Sequence, residues 1–397
     1  MIDLTLFLAG VFLLTFLLGR LFEKVHIPWV FSSLIIGLGL AAYNPFKEIT
    51  TSSSFQFLAQ LGMYFILFII GFEINLSEIR KREGFIIKTT TAIILSEAIL
   101  GTFVVHYLFS VSWLVSSLVA FSFATIGEAV LLPILDEFNL TKSSFGQTIL
   151  SIGVLDDIFE IVVIIFATAT VGLAKGHARL SISLTIAVLV SLFAFAYFLT
   201  RWKHKANIMK FGGVESFFLF VLFFIFAFVG IGKFAGAAAL GAILAGMALK
   251  NFIPQKRLKL VDSEIRTMAY GFFAPIFFLS VGLETDMGYL IHAPLLILIV
   301  VLVTLFAKMV PSYFIGRKEL GSHSSIIMGI ALTVKFSTSI VIIKLLMQNG
   351  IISSNLYSVL IGATVIFSIL PVFVLSGLLR WWKFNYHSKK SLRANKS

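Results

Sequence analysis

Long apolar runs separated by short polar turns make up almost the whole chain. Each run is close to the length of about 20 residues that crosses a bilayer as a helix. Thirteen such runs can be delimited, at residues 4–22, 28–43, 55–75, 85–109, 113–135, 145–173, 180–200, 214–231, 234–252, 265–285, 293–316, 324–346 and 354–382. The pattern therefore predicts an all-α integral membrane protein with about 13 transmembrane helices.

The composition leaves no room for a soluble domain beside these spans. The 397 residues are 59% hydrophobic and only 13% charged, and the mean hydropathy is +1.02. Thirteen spans of about 20 residues leave roughly ten residues for each loop or tail. We therefore predict a single transmembrane domain over residues 1–397. The first span carries Asp3 and no basic stretch, so we expect a retained helix and not a cleaved signal peptide.

Cysteine and histidine chemistry has little place in this chain. It contains no cysteine, which excludes disulfides, iron–sulfur clusters and cysteine nucleophiles. Its 7 histidines form no His-x-x-x-His pair on a span, which disfavours a metal enzyme. An intramembrane aspartyl protease needs two carboxyls that face each other from different helices. The adjacent Asp156 and Asp157 cannot supply that geometry, so we expect neither an enzyme nor a cofactor.

The net charge of +12 reflects membrane topology and not affinity for nucleic acid, because Lys and Arg collect in cytoplasmic loops. If the N-terminus is outside, 24 of the 31 Lys and Arg lie on the inner side. The outer turns keep only Lys47, Lys175, Arg179 and Lys233. We therefore predict a multi-pass protein of the cell inner (plasma) membrane with an outer N-terminus and a cytoplasmic C-terminus.

The two halves of the chain contain a repeat. The segment around Gly71, Phe-Ile-Ile-Gly-Phe-Glu, resembles the segment around Gly282, Leu-Ser-Val-Gly-Leu-Glu, and the two glycines are 211 positions apart. The same offset carries Glu97 onto Lys308, and spans five and six onto spans twelve and thirteen. Because spans three and ten are an odd number of spans apart, the halves must cross the membrane in opposite senses. Inverted-topology repeats are typical of secondary transporters.

Several polar side chains are predicted near the middle of the membrane. An ionisable group at that depth costs several kcal/mol and is a functional hypothesis by default. The candidates are Asp156 and Asp157 in span six, Glu97 in span four, Thr125 and Glu128 in span five, Lys308 in span eleven and Lys335 in span twelve, with Glu160 one turn beyond Asp156. Their common depth predicts one shared site.

The adjacent aspartates predict a division of roles, because neighbouring helix residues point about 100° apart. We expect one carboxylate to be neutralised by a lysine and the other to face a water-filled cavity. A cation and a proton can then compete for the second carboxylate, which is an antiport mechanism. Glu97 is equally compatible with a structural salt bridge, for example to Lys308, and Glu160 with a solvated acid. Thr125 is a candidate cation ligand or bonds its own helix backbone.

Spans five and twelve are interrupted at corresponding positions. Span five contains Gly127 and Pro133, and span twelve contains the polar stretch Thr-Val-Lys-Phe-Ser-Thr-Ser at 333–339. Paired interruptions of this kind indicate discontinuous helices that line a transport site. We expect the two broken helices to cross, with Glu128 and Lys335 offsetting the exposed helix dipoles.

The chain resembles the monovalent cation:proton antiporter superfamily, sodium/proton exchanger type with the NhaA-like fold. The resemblance rests on Gly71-Phe-Glu73, the Asp156-Asp157 pair, the small-residue stretch 236–246, the stretch 273–283 and Lys308. The sequence departs from the family at Lys335-Phe336-Ser337, where members commonly carry Gly-Glu after a basic residue. That departure leaves the choice among Na⁺, K⁺ and Li⁺ open, as well as the proton stoichiometry.

The resemblance implies an architecture and a role for each site residue. It implies a homodimer in which a core, about 85–173 and 293–382, moves like an elevator against a dimerisation scaffold, about 1–84 and 180–285. In electrogenic members the second aspartate binds the cation and the first pairs with the lysine, which here correspond to Asp157, Asp156 and Lys308. The expected activity is exchange of Na⁺ for protons, with K⁺/H⁺ exchange as the alternative and an ion channel as a more distant one.

Overall fold

The computed structural model describes residues 3–24, 27–73, 84–127, 143–174, 214–234, 238–252, 263–335 and 337–381, with single positions 131, 135, 138, 140, 190, 191 and 194. Regular structure in these ranges is helical. The first half contains α1 (Leu4–Glu23), α2 (Phe31–Ala42), α3 (Lys47–Thr50), α4 (Ser53–Glu73), α5 (Gly84–Phe109), α6 (Trp113–Phe123) and α7 (Ser144–Ala174).

The second half repeats the plan of the first. It contains α8 (Val214–Phe234), α9 (Ala238–Phe252), α10 (Ala274–Leu283), α11 (Met287–His292), α12 (Pro294–Glu319), α13 (Ser322–Ala331), α14 (Ser337–Gln348) and α15 (Ser354–Trp381). A π-helical segment, Thr267–Phe273, leads into α10. The sequence predicts span ten as one uniform helix, whereas in the structure Pro275, which lacks a backbone N–H, follows the π-helical segment.

Long apolar helices identify a multi-pass membrane protein. Within the described ranges, 7 helices are long and apolar enough to cross a bilayer. Large apolar side chains such as Leu13, Phe103 and Phe306 are exposed on α1, α5 and α12, as expected of helix faces that meet lipid. Nearly all of predicted span seven, 180–200, lies outside the described residues, so the predicted count of thirteen stays a prediction.

The 211-residue offset relates more helices than the sequence alone indicated. Adding it to the bounds of α4, α5, α6 and α7 gives, within a few residues, the bounds of the segment ending in α10 and those of α12, α13 and α15. The same offset relates α1 to α8 and α2 to α9. Six consecutive spans of each half therefore share one plan.

Glycines allow the closest helix crossings. Helix α4 packs on α9, where a Cβ at Gly71 or Gly246 would clash with the main-chain oxygens of Ile243 or Phe68. Its repeat mate α10 packs on α2, where a Cβ at Gly282 or Gly37 would meet the opposite backbone in the same way. Small residues that let helix backbones touch are typical of membrane helix packing.

The remaining long helices pack in a second group around the predicted site. Helix α5 contacts α6, α7 and α12, and α12 contacts α13 and α15. Helix α14 packs against α15, α6, α7 and α4. The two interrupted segments, after α6 and after α13, therefore lie among α5, α7 and α12.

Candidate functional site

Two helices end at the same place inside the molecule. Helix α6 ends at Phe123 and residues 124–127 are not helical, while α13 ends at Ala331 and α14 begins only at Ser337. The Gly127 N–H donates to the Val334 carbonyl at 2.8 Å, which joins the two non-helical segments directly. Span twelve is thus discontinuous, as predicted, and most of the continuation of span five lies outside the described residues.

Lys308 occupies the junction of these two segments. It is fully buried, and its Nζ donates to the carbonyls of Ala124 at 2.9 Å, Leu332 at 2.8 Å and Thr125 at 3.3 Å. Three carbonyl acceptors match the three N–H donors of an ammonium group. They belong to residues just beyond the C-termini of α6 and α13, where the helix dipole favours positive charge. Lys308 therefore ties together the ends of both broken helices.

Glu97 lies between two buried lysines. Its Oε2 lies 3.3 Å from Lys308 Nζ, and its Oε1 accepts a hydrogen bond of 3.0 Å from Lys335 Nζ. The Lys335 ammonium also donates to the Phe123 carbonyl and lies 4.2 Å from the centroid of the Phe123 ring. Ser368 donates to the Lys335 carbonyl at 3.1 Å, which satisfies one more backbone acceptor of the interrupted segment.

Asp156 reaches the same junction from α7. Its side chain is only 2% exposed, and its Oδ2 accepts a hydrogen bond of 2.7 Å from the Ile126 N–H. Ile126 belongs to the non-helical segment after α6. Its N–H therefore makes no intrahelical hydrogen bond and can donate to the carboxylate. A buried carboxylate is thus held by backbone that became available when the helix was interrupted.

The structure has no direct ion pair between Asp156 and Lys308, so their predicted pairing stays a prediction. The acid that contacts Lys308 is Glu97, and Asp156 accepts a hydrogen bond from the Ile126 N–H. The reason is geometric: the Lys308 ammonium is held among three carbonyls at the helix ends, with Glu97 beside it on the neighbouring helix α5. Sequence reasoning named Glu97 as a possible salt-bridge partner, and that alternative is what the structure contains.

The other predicted site residues are described by the structure to different extents. Thr125 lies at the junction, 6% exposed, and contributes its carbonyl to Lys308. The backbone of Asp157 and Glu160 belongs to α7, but their side chains lie outside what is described. Glu128 lies outside the described residues altogether.

The sequence did not identify Ile126, Gly127 and Val334 as site residues. Each contributes a main-chain group, which side-chain identity cannot indicate. The only signal was the interruption of an apolar run by Gly127 and by the polar stretch at 333–339.

Two acids and two lysines balance in charge among the described side chains of the junction. Glu97 and Asp156 are formally matched by Lys308 and Lys335, and they are held by hydrogen bonds from backbone and lysine donors. Among the described residues, no group of three or more His, Asp or Glu is arranged to hold a metal ion. Oxygen ligands suit alkali cations, and the carboxylate of Asp156 lies beside the non-helical backbone of 124–127.

A polar cavity opens between the two packing groups. It has a volume of about 570 Å³ and is lined by Ser53, Gln56, Phe57, Gln60, Met63, Tyr64, Lys233, Ala238, Ala239, Leu345, Gln348 and Asn349. Ser53, Lys233 and Gln348 lie at the same end of their helices' spans, which the basic-residue distribution predicts to be the outer end. Met63 and Tyr64 lie midway along α4, so the cavity reaches about half-way through the molecule.

Comparison with known proteins identifies relatives along nearly the full chain. The chain is 27% identical over 386 residues to the "Putative Na(+)/H(+) antiporter YjbQ" of Bacillus subtilis, an alignment that covers 92% of this chain and 61% of that protein. It is 25% identical over 363 residues to the "Probable Na(+)/H(+) antiporter 3" of Methanocaldococcus jannaschii, covering 88% of this chain and 90% of the relative.

A solved structure shares the fold. The sodium proton antiporter MjNhaP1 from Methanocaldococcus jannaschii superimposes with a TM-score of 0.67 at 16% sequence identity, covering 94% of this chain and 98% of that one. The family model described as "Sodium/hydrogen exchanger, transmembrane" matches residues 10–381. With its apolar helices, its broken helices and its buried carboxylate, the chain belongs to the sodium/hydrogen exchanger family.

Proposed function

We propose that this protein is a secondary active antiporter that exchanges Na⁺ for protons across the cell inner (plasma) membrane. The observation that carries the proposal is the Asp156 carboxylate, buried at the junction of two interrupted helices in a chain of the sodium/hydrogen exchanger family. Burying an ionisable carboxylate inside a membrane protein costs free energy, which favours a functional role for it. The names of the relatives as Na⁺/H⁺ antiporters support the same substrates.

The site works by competition for carboxylates. Asp157 follows Asp156 on α7, and because adjacent helix residues point about 100° apart, we assign the two carboxylates different roles. In the proposed cycle Asp157 binds either Na⁺ or a proton, and Asp156 and the Thr125 segment complete the site. Either occupied state lowers the charge that must cross the membrane, whereas the empty site does not cross. Exchange requires no covalent chemistry and no cofactor.

Two adjacent carboxylates also support electrogenic exchange. If Asp156 and Asp157 both bind protons in the cation-free state, two protons return for each Na⁺ and one net charge moves. Lys308 and Lys335 serve as positive charge partners for the carboxylates of the site. Glu97 and the helix-end carbonyls hold both ammonium groups in place. The positions of Glu128 and Glu160 on the sequence favour accessory roles along the access route.

The proposed architecture is that of an inverted-repeat transporter with NhaA-like crossed helices and 13 spans. The six related helix pairs account for twelve spans, and predicted span seven would link the halves. The core, about 85–173 and 293–382, would move against a scaffold, about 1–84 and 180–285, in a homodimer embedded in lipid. This division is supported by the separate packing of α4, α9, α2 and α10 on one side and α5, α7 and α12 on the other.

An ion panel tests this function. The purified protein is reconstituted in liposomes under a defined pH gradient, and uptake of Na⁺, Li⁺ and K⁺ is compared, with the membrane voltage clamped by valinomycin when K⁺ is not the tested ion. We expect saturable, pH-gradient-driven Na⁺ uptake that responds to voltage. Preference for K⁺ would move the assignment to K⁺/H⁺ exchange, and uptake without proton counterflow would favour a channel.

A further inference from the structure

A second ion pair, between a buried lysine and a partly exposed glutamate, lies away from the site, toward the other end of α14. Lys344 is 1% exposed, and its Nζ lies 3.1 Å from Glu284 Oε1 and donates to Ser280 Oγ at 2.8 Å. The ammonium also lies 5.6 Å from the centroid of the Phe277 ring. The Glu284 side chain is 23% exposed, and its other oxygen, Oε2, is buried without a hydrogen-bond partner. A charge buried in a membrane helix needs a reason beyond packing.

The pair connects helices of different packing groups. Lys344 belongs to α14, which packs against α15, α6 and α7 as well as α4, whereas Ser280 and Glu284 belong to α10 and its C-cap, which pack against α2 and α4. Two more polar contacts join the same regions: Tyr357 Oη donates to the Val281 carbonyl at 2.9 Å, and the Asp286 N–H donates to Ser358 Oγ at 2.8 Å. Polar bonds therefore fasten α14 and α15 to the end of α10.

The sequence of the other half has no lysine at the position related to Lys344. The 211-residue offset relates Glu284 to Glu73 but relates Lys344 to Pro133. Proline has no ammonium group and cannot make this ion pair. In an inverted-repeat transporter the two end states arise when the repeats exchange conformations. A bond that exists in one repeat alone therefore stabilises one end state over the other.

The polar cavity adjoins the same half-helix. Leu345, Gln348 and Asn349, which follow Lys344, line the cavity on one side, and Gln56, Gln60 and Tyr64 of α4 line it on another. A bond that holds α14 on α10 keeps α14 from moving into this space. The ion pair and the open cavity are thus two aspects of one conformation.

We propose that Lys344 is a positioning residue, which holds the second half of the discontinuous helix on α10 through Glu284 and Ser280 and so stabilises the conformation in which this cavity is open. The pair separates when the core moves. This inference rests on the proposed function for the motion it invokes, but the state of the cavity can be measured without transport.

The absence of cysteine from the chain allows a clean accessibility measurement. A single cysteine replaces Gln348 in the cavity wall, and its rate of reaction with a membrane-impermeant maleimide is measured in proteoliposomes of defined orientation. In the Lys344→Met background we expect the rate to fall several-fold, because the cavity-open state loses its stabilising bond. Lys344→Arg should restore the rate, and Lys88→Gln, an exposed change on α5, should leave it unchanged.

Na⁺ transport measured in the same vesicles distinguishes a positioning role of Lys344 from a general effect on the stability of the protein. A smaller population of the cavity-open state raises the apparent KM for Na⁺ on the cavity side by the same factor as the loss of labelling. Equal labelling and equal KM in Lys344→Met and the unmodified chain would overturn the proposal. If Lys344→Met does not fold, the exchanged pair Lys344→Glu with Glu284→Lys decides: labelling at the original rate supports the proposal, and labelling lowered several-fold overturns it. Labelling that follows the proposal in vesicles without Na⁺ exchange would reject the transport function alone.

Discussion

Backbone carbonyls, more than opposite charges, determine where the buried lysines lie. Lys308 donates three hydrogen bonds to carbonyls just beyond the ends of α6 and α13. Lys335 donates one to the carbonyl of Phe123, the last residue of α6. A helix that stops inside a membrane leaves such carbonyls without partners, and each unsatisfied group there costs several kcal/mol. The two lysines meet that need, and Glu97 in turn balances their charge.

Glu97 should matter more for stability than Lys335, one of the two lysines that it contacts. Glu97→Gln leaves two buried ammonium groups without a carboxylate, and breaking a buried pair in this way costs about 3–5 kcal/mol. Lys335→Met removes one cation while Lys308 still faces Glu97, so we expect a smaller loss. Thermal unfolding in detergent, with Lys88→Gln on the same helix as the control, measures the order. A melting temperature lower for Lys335→Met than for Glu97→Gln would contradict this account of the cluster.

Two substitutions of Asp156 separate its structural hydrogen bond with Ile126 from its proposed role in binding a proton. Asp156→Asn keeps an oxygen that can accept from the Ile126 N–H, whereas Asp156→Ala leaves that buried N–H unsatisfied at a cost of about 1–3 kcal/mol. We expect the Asn variant to unfold near the temperature of the unmodified protein and the Ala variant clearly below it. Both should lose voltage-dependent exchange if Asp156 carries a proton. Equal melting temperatures for Asn and Ala would show that the hydrogen bond contributes nothing to the fold.

The sequence indicated the depth of these residues and one partner, Glu97 for Lys308, but not their main-chain partners. Depth follows from position within an apolar run, which is why Asp156, Lys308 and Lys335 were placed on one level. Partners depend on where a long, flexible side chain finds acceptors, and those acceptors are main-chain atoms that exist only after the helix breaks. For the same reason Lys344 was counted within a span without being given a role.

At the scale of helices, small residues set the distance between the two halves. Helix α4 meets α9 at Gly71 and Gly246, and the repeat-related crossing of α10 with α2 uses Gly282 and Gly37. The sequence showed that Gly71 and Gly282 correspond but not what they pack against. The π-helical segment before α10 and the start of α14 were likewise invisible in the hydrophobic pattern, because both depend on local backbone bonding.

A methyl group at one of these crossings should force the helices apart. In Gly71→Ala the new Cβ would meet the Ile243 carbonyl, which is rigid backbone and cannot turn aside. We expect a loss on the order of 3 kcal/mol in folding free energy and a lower yield of folded protein. Gly39→Ala on α2 is the matched control, since a Cβ there meets nothing within 4 Å. Size-exclusion profiles and melting curves compare them; equal behaviour of the two variants would rule out the close crossing.

At the scale of the whole molecule, the repeat explains where the site lies. Glu97 and Lys308 occupy equivalent positions of the two halves, 211 residues apart, and their charged atoms are 3.3 Å apart. Equivalent residues of two repeats touch only near the axis that relates the repeats. The site therefore lies where the halves meet, as in other transporters built from such repeats. The offset was readable in the sequence, but this contact required the structure.

The asymmetry between the halves is as informative as their likeness. Lys344 and Glu284 fasten one repeat, while Pro133 occupies the related position in the other. Asp156 and Asp157 likewise belong to the first repeat alone, since the offset relates them to Phe367 and Ser368. A symmetric framework thus holds an asymmetric set of charges, which is what a single transport site with two alternating entrances requires.

The most direct test of the account is the effect of Asp157→Asn on pH-gradient-driven uptake of radioactive Na⁺ into proteoliposomes. The substitution removes the ionisable group and keeps the size of the side chain, so the protein should fold, as judged beside Glu215→Gln, an exposed change on α8. The account predicts that Asp157→Asn abolishes Na⁺ uptake while Glu215→Gln retains it. Sustained, gradient-driven Na⁺ uptake by the Asp157→Asn protein would contradict the claim that the Asp157 carboxyl exchanges its proton for the cation.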